Sequence, residues 1–138
     1  MTFEWFFETL GDLDWLAVIV GTLAAFILSY IWYAPLFGRI WSKATGIQMN
    51  QPAASKMVQQ VILLFVFNVG LNYWIFGQAE FNFENAVVMG LLFGLLLIAP
   101  AMFTGVVWAG TKRAQFYVDA GYWIAAVIVA AFVQGLFL

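Results

Sequence analysis

The chain contains neither cysteine nor histidine. Without cysteine it can form no disulfide, no thiolate metal site and no cysteine nucleophile. Without histidine it lacks the usual general base, the commonest metal ligand and the usual axial ligand of haem. The sequence therefore predicts no cofactor and no metal site, and it disfavours an enzyme.

Charge is also scarce. Charged residues make up 9% of the 138 residues, whereas 65% are hydrophobic. A soluble domain of this length needs far more charge to cover its surface. The formal net charge is −2, which supplies no basic surface of the kind that nucleic acid requires. The composition thus predicts that the chain interacts with the lipid bilayer, and it excludes a nucleic-acid partner.

Four apolar stretches are long enough to cross a bilayer, which takes roughly 20 mostly apolar residues. We assign them to residues 15–33, 57–76, 86–108 and 116–138. None contains a basic residue, and the only acidic residue among them is Asp119. The predicted fold is therefore all-α. It is a single integral membrane domain over residues 1–138 with four transmembrane helices.

The charged residues are divided between the two sides of the predicted membrane domain. All five basic residues lie in the connections 34–56 and 109–115, which share one side. Six of the seven acidic residues lie in the N-terminal segment and in the connection after the second span. Because positive charge marks the cytoplasmic side, we expect these two basic connections to be cytoplasmic and both termini to lie outside.

The N-terminal segment lacks the basic start of a cleavable signal peptide. Its apolar residues recur at helical spacing, and Glu4 and Glu8 fall on another face. This pattern predicts a short amphipathic helix that lies in the outer interface as an anchor. A lid over an outer opening is the alternative interpretation.

The stretch IWYAPLFGRIW, residues 31–41, joins the first span to the first basic connection. Trp32 and Tyr33 suit the membrane interface. Pro35 disfavours helical geometry in the residue before it, and Gly38 permits a turn. Trp41 is then expected to lie back on the inner surface. These properties predict a helix exit from the membrane, and a binding site remains the alternative.

The same stretch, together with DAGYW at residues 119–123, resembles the signature of a family of small bacterial membrane proteins, domain of unknown function 1761. The four-span spacing and the long first connection are similar to that family as well. The resemblance implies a multi-pass protein of the bacterial inner membrane and implies no activity. Family members often carry histidine after the tyrosine, where this chain has Trp123.

Polar residues inside the spans are the candidates for a site, because they are costly in lipid and usually face protein or water. They form either interhelical hydrogen bonds or a polar lining that binds or passes a solute. The candidates in the outer half are Thr22, Asn68, Asn72 and Gln134.

The polar residues of the inner half are Ser29, Tyr30, Tyr33, Thr104, Asp119 and Tyr122. Asp119 is the one carboxylate with a site-like position, about one turn from the start of the fourth span. We expect this carboxylate to pair with Lys112 or Arg113 and with the helix dipole.

Small residues recur at a spacing of about four, which lets helix backbones approach closely in lipid. The candidate packing positions are Gly21, Ala25 and Ser29 in the first span, Gly90, Gly94 and Gly105 in the third, and Gly121 in the fourth. Pro100 is expected to kink the third span between its two groups of small residues. One four-helix bundle needs fewer such faces, so we expect some to serve contacts between subunits.

Three classes of function are left by these features. The first is a non-enzymatic small membrane protein that assembles as a homo-oligomer or as an accessory subunit of a larger membrane complex, with lipid bound to it. The alternative is a small oligomeric channel or transporter for an unidentified solute. A membrane enzyme is disfavoured because the spans have no carboxylate near mid-membrane.

Single cysteines introduced at Glu8, Gly46, Asn82 and Arg113 test the predicted orientation in a chain that has no cysteine of its own. We expect an impermeant thiol reagent outside the cell to label the variants at Glu8 and Asn82 and to leave the other two unlabelled. External labelling at Gly46 with protection at Asn82 would contradict this topology.

Overall fold

Four helical segments are long and apolar enough to cross a membrane. They are Trp15–Leu36, Ala54–Ile75, Phe83–Trp108 and Arg113–Gly135, called spans one to four below. They belong to a computed structural model that describes residues 1–48 and 52–138. The described part of the chain contains helices and no strand. The predicted all-α, four-span fold is confirmed, while residues 49–51 of the predicted connection 34–56 lie outside the described residues.

The described residues form seven α-helices and two π-helical segments, and all of these except the first and third α-helices belong to the spans. The α-helices are α1 Phe3–Asp12, α2 Trp15–Ile31, α3 Gly38–Thr45, α4 Ala54–Ile75, α5 Phe83–Met89, α6 Ala99–Trp108 and α7 Arg113–Gly135. The π-helical segments are Trp32–Leu36, which completes span one, and Gly90–Ile98, which joins α5 to α6 in span three.

Pro35 lies inside the first π-helical segment. The N–H of Phe37 donates to the carbonyl oxygen of Trp32 at 2.8 Å, which is the five-residue spacing of a π-helix. The longer spacing lets the helix pass a residue that has no N–H to donate. Span one therefore ends at Leu36 rather than at Tyr33, and Pro35 does not terminate it.

The chain reverses sharply between span one and α3. A Cβ added at Gly38 would lie 2.6 Å from the carbonyl oxygen of Tyr33, so only glycine allows this close approach. The short helix α3, which the sequence pattern did not predict, ends at Gly46 with a φ of 73°. It packs back against span four.

Span four lies at the centre of the bundle. Spans one, two and three all pack against it, and span one also packs against span two. Three alanines of span four, Ala126, Ala130 and Ala131, are fully buried. Such small side chains bring the neighbouring backbones close, which is how helices associate where lipid supplies no hydrophobic drive.

The two glycines Gly90 and Gly94 of span three face span four. A Cβ added at Gly94 would lie 2.7 Å from the Cα of Ile124, and one at Gly90 would collide with the side chain of Ile128. This pair of glycines therefore serves a contact within the chain. The helix α6, whose second residue is Pro100, directly follows the π-helical segment that carries both glycines.

The other predicted packing positions have several different neighbours. Gly21 abuts the side chains of Asn68 and Gln134. Gly121 lies against the ring of Trp32, and Gly105 lies against Thr111 of its own connection rather than against another span.

Two further packing positions, both in span one, are used within the chain as well. Ala25 is fully buried, and the hydroxyl of Ser29 donates to the carbonyl oxygen of Phe26 at 2.6 Å. Ala25 therefore packs within the chain, whereas the bond of Ser29 stays within its own helix. That some small-residue faces serve contacts between subunits stays a prediction.

The N-terminal helix α1 packs on the C-terminal end of span two. The hydroxyl of Tyr73 donates to the carbonyl oxygen of Phe6 at 2.7 Å, and the two rings stack at 5.3 Å. Thr9 is buried, whereas Phe3 and Phe7 are 86% and 66% exposed. An exposed aromatic face is what an interfacial anchor needs. The location of α1 in the membrane interface stays a prediction, as does the alternative of a lid.

Alanine substitutions at two glycines should separate the buried face of span three from an open face of span two. Gly94→Ala places a Cβ against the backbone of Ile124 and should lower the free energy of unfolding by about 1–3 kcal/mol. Gly70→Ala meets nothing within 4 Å and should leave stability unchanged or raise it by up to about 1 kcal/mol. Unfolding in mild detergent, followed by circular dichroism, measures both. Equal stability of the two variants would contradict this packing.

Candidate functional site

Three amide side chains form a buried cluster between spans two and four. The Nδ2 of Asn72 donates to the Oε1 of Gln134 at 2.7 Å. The Nε2 of Gln134 in turn donates to the Oδ1 of Asn68 at 2.8 Å and to its carbonyl oxygen at 3.2 Å. Asn68 and Asn72 lie one turn apart on one face of span two, so a single glutamine bridges them.

Span one joins this amide cluster through its N-terminus. The backbone N–H of Asp14 donates to the Oδ1 of Asn72 at 3.1 Å, and the Oδ1 of Asp14 accepts from the N–H of Ala17 at 3.0 Å as an N-cap. Thr22, predicted at the same depth, is buried but donates to the carbonyl oxygen of Val18 in its own helix. Thr22 is therefore not part of the interhelical network.

The amide cluster is closed. Asn68, Asn72 and Gln134 are 0%, 3% and 1% exposed. No buried polar side-chain atom among the described residues is left without a hydrogen-bond partner. Gly21 has no side chain and therefore leaves room for Asn68 and Gln134 where span one crosses the amide cluster. Of the two interpretations of these residues, the geometry favours interhelical hydrogen bonding over a polar lining.

A second cluster lies near the inner end of the predicted orientation, around Asp119. The Oδ1 of Asp119 accepts the hydroxyl of Tyr33 at 2.6 Å and the Nε1 of Trp41 at 3.0 Å. These donors come from the π-helical end of span one and from α3. One carboxylate oxygen of span four therefore accepts hydrogen bonds from two separate segments of the chain.

Aromatic contacts surround the carboxylate. The ring of Tyr33 meets Trp41 edge-on at 5.8 Å and Tyr122 at 5.5 Å. The hydroxyl of Tyr122 donates to the carbonyl oxygen of Ala25 at 2.9 Å. Pairs at these distances are the favourable arrangements of aromatic rings.

Trp32 adds a further link between spans one and four. Its Nε1 donates to the carbonyl oxygen of Val118 at 2.9 Å, and Gly121 leaves room for its ring. The two sequence segments that carry the family resemblance, residues 31–41 and 119–123, thus meet in one structure.

One expectation about this region needs correction. Among the described residues, Asp119 forms no ion pair with Lys112 or Arg113, and the guanidinium of Arg113 lies 5.6 Å from the centre of the Phe103 ring. Trp41 is half-buried and bonds to Asp119, which the sequence did not predict, and its place on the inner surface stays a prediction. The chemistry of the residues was the signal in the sequence for these contacts, because tyrosine and tryptophan are neutral donors that can satisfy a carboxylate within a span.

A groove separates spans two and three. One part, about 330 Å³, is lined by apolar side chains that include Val66, Trp74 and Phe93. An adjoining part of about 580 Å³ extends to Gln78 and Asn85 at the ends of the two spans. Gly70 lines the first part and leaves it open. The groove is therefore an apolar recess with polar groups at one end.

These features define the class of protein. It is an all-α, multi-pass membrane protein in which the buried amide side chains of spans two and four bond to one another. The described residues contain no group of three or more acidic side chains that could hold a metal ion.

The family match gives the next level of identity. The family described as protein of unknown function (DUF1761) matches residues 16–135, and the chain belongs to this family. The resemblance read from residues 31–41 and 119–123 is thereby confirmed. The matched region includes both polar clusters and omits α1. No curated protein and no solved structure matches the chain in the same comparisons.

Replacing Gln134 by leucine tests whether the amide cluster is structural. Gln134→Leu removes the acceptor of Asn72 and the donor to Asn68, so the free energy of unfolding should fall by about 1–3 kcal/mol. Gln78→Leu is the matched control, because Gln78 is exposed and makes one bond of 3.3 Å to Trp74. Thermal unfolding in detergent compares them. A stable Gln134→Leu variant would leave the cluster without a structural role.

Proposed function

We propose that this protein is a non-enzymatic membrane protein that assembles laterally, either with copies of itself or as an accessory subunit of a larger membrane complex. The observation that carries the proposal is the apolar groove between spans two and three, which faces away from the central span four. In this proposal the groove receives apolar side chains from a helix of the partner. No cofactor takes part, and the membrane is the bacterial inner membrane.

The distribution of polar groups supports assembly over catalysis or conduction by a single chain. The amides of spans two and four are consumed by bonds to each other. A path for a solute needs polar groups that face water along the membrane. A small oligomeric channel or transporter would have to place such groups on the exposed surface of the helix bundle. Thr104 of α6 is exposed but already donates to the carbonyl oxygen of Ala101. Assembly is therefore the better supported proposal.

The shape of the groove supports the same function. Lipid tails are as apolar as leucine, so exposure of apolar side chains alone does not drive association in a bilayer. A recess does, because side chains of a facing helix gain van der Waals contacts on both of its walls. The rings of Trp74 and Phe93 contact each other at a centroid distance of 5.4 Å and line this recess, and Trp74 is 56% exposed. Large aromatic side chains of this kind are frequent anchors in protein interfaces.

A leucine at Gly70 tests the groove directly. Gly70 lines the groove and a Cβ there meets nothing within 4 Å, so Gly70→Leu should fill the recess without disturbing the fold. We expect assembly to weaken about tenfold, or by about 1.4 kcal/mol, while thermal stability is retained. Native mass spectrometry from mild detergent and from lipid nanodiscs measures the assembly.

Gly11→Leu is the matched control, because Gly11 is a helical glycine of α1 that also meets nothing within 4 Å. It should leave the assembly unchanged. A wild-type chain that stays monomeric in nanodiscs and retains no partner on purification would contradict the proposal. Unchanged assembly of Gly70→Leu would contradict the assignment to the groove.

A further inference from the structure

The second carboxylate oxygen of Asp119 is open. Both hydrogen bonds of this side chain, from Tyr33 and from Trp41, end on Oδ1. The side chain is half-buried, and in the part of the chain that the structure describes no polar side-chain atom is both buried and unpartnered. Oδ2 therefore reaches the surface of the protein. A carboxylate within a span that lacks a basic partner is a candidate for ligand binding.

The position of this oxygen in the membrane narrows the choice of ligand. Asp119 lies six residues after Arg113, the first residue of span four, which corresponds to about 9 Å along the helix. That depth is close to the boundary between headgroups and hydrocarbon on the side that carries all five basic residues. A ligand at this level must carry a positive charge and tolerate an interface.

The surroundings of Asp119 add two further requirements. Tyr33 and Trp41 direct their O–H and N–H donors at Oδ1, so the remaining oxygen Oδ2 requires a donor from the ligand. Exposed basic residues surround this end of the bundle, with two in α3 and two at the start of span four, namely Arg39, Lys43, Lys112 and Arg113. These basic side chains attract phosphate groups and repel a cation that carries no negative group. A ligand with an ammonium and a phosphate satisfies both requirements.

We propose that Asp119 binds the primary ammonium of a phospholipid headgroup, while the surrounding basic residues attract its phosphate. An ammonium offers three N–H donors, of which Oδ2 accepts one in a charge-assisted hydrogen bond. A divalent metal ion fits less well, because it requires several oxygen ligands and Asp119 supplies one open oxygen. Tyr33 and Trp41 act as positioning residues that fix the carboxylate through Oδ1.

Lipid retention by the purified protein tests the proposal. The wild-type chain is equilibrated in nanodiscs that contain equal amounts of phosphatidylethanolamine, its N-methylated derivative phosphatidylcholine, and phosphatidylglycerol, and retained lipid is read by native mass spectrometry. We expect phosphatidylethanolamine to be retained at least about tenfold over phosphatidylcholine, because a quaternary ammonium has no N–H to donate. This comparison requires no variant. Equal retention of the two lipids would overturn the proposal.

Asp119→Asn is the matched variant, since an amide oxygen can still accept from Tyr33 and Trp41 while the negative charge is removed. It should lose the preference for phosphatidylethanolamine, whereas Glu80→Gln, at an exposed acidic residue of another connection, should retain it. Thermal unfolding establishes that the variants are folded. An unchanged preference in Asp119→Asn would contradict a role for this carboxylate.

Soluble phosphoethanolamine distinguishes a lipid from a free ligand with the same chemistry. We expect a millimolar concentration of it to leave the retained phosphatidylethanolamine unchanged, because the acyl chains hold the headgroup at the depth of Asp119. Displacement of the lipid by the soluble compound would overturn the assignment to a lipid and would identify a site for small ammonium compounds. The outcome is independent of lateral assembly, which is measured on Gly70→Leu.

Discussion

The packing of span four against the other three spans is the constraint on which the rest of the structure depends. In lipid the hydrophobic effect does not bring helices together, so contact between backbones and hydrogen bonds between spans must do so. Gly94 meets the backbone of Ile124, and the alanines of span four are fully buried. At one end Gln134 bonds to span two, and at the other end Asp119 bonds to span one and α3. Span four therefore organises both polar clusters.

The two clusters lower the free-energy cost of polar groups in lipid in different ways. Asn68, Asn72 and Gln134 are neutral, and a set of neutral amides can satisfy itself and be buried completely. Asp119 carries a charge, and burial of an unpaired charge costs far more. Its environment accordingly provides two neutral donors on one oxygen and an accessible second oxygen. Only the carboxylate is thus placed to interact with an ionic ligand.

The sequence predicted the features that local composition controls. Four spans follow from apolar length alone, and the family resemblance follows from short segments near residues 31–41 and 119–123. It did not predict the π-helical turn that lets the helix continue past Pro35, and it did not predict α3 or the contacts of this region, whose partners are distant in the chain. Trp41 bonds to a residue 78 positions later, and Trp32 to one 86 positions later. A pattern read within one helix carries no information about such partners.

The same argument explains why the spacing of Gly90 and Gly94 predicts close packing and does not predict the partner. The spacing of Gly90 and Gly94 indicates a face that approaches another backbone, but it does not say whether that backbone belongs to the same chain. The structure places Ile124 and Ile128 there, both from span four. The groove lies between the faces of spans two and three that do not meet span four. It is lined mainly by large side chains, whereas the contacts within the chain use small residues. Contacts within the chain thus use close backbones, whereas the surface available to a partner uses a recess lined by Trp74 and Phe93. The two kinds of contact lie on different faces of span three, so a partner can occupy the groove without displacing the central span.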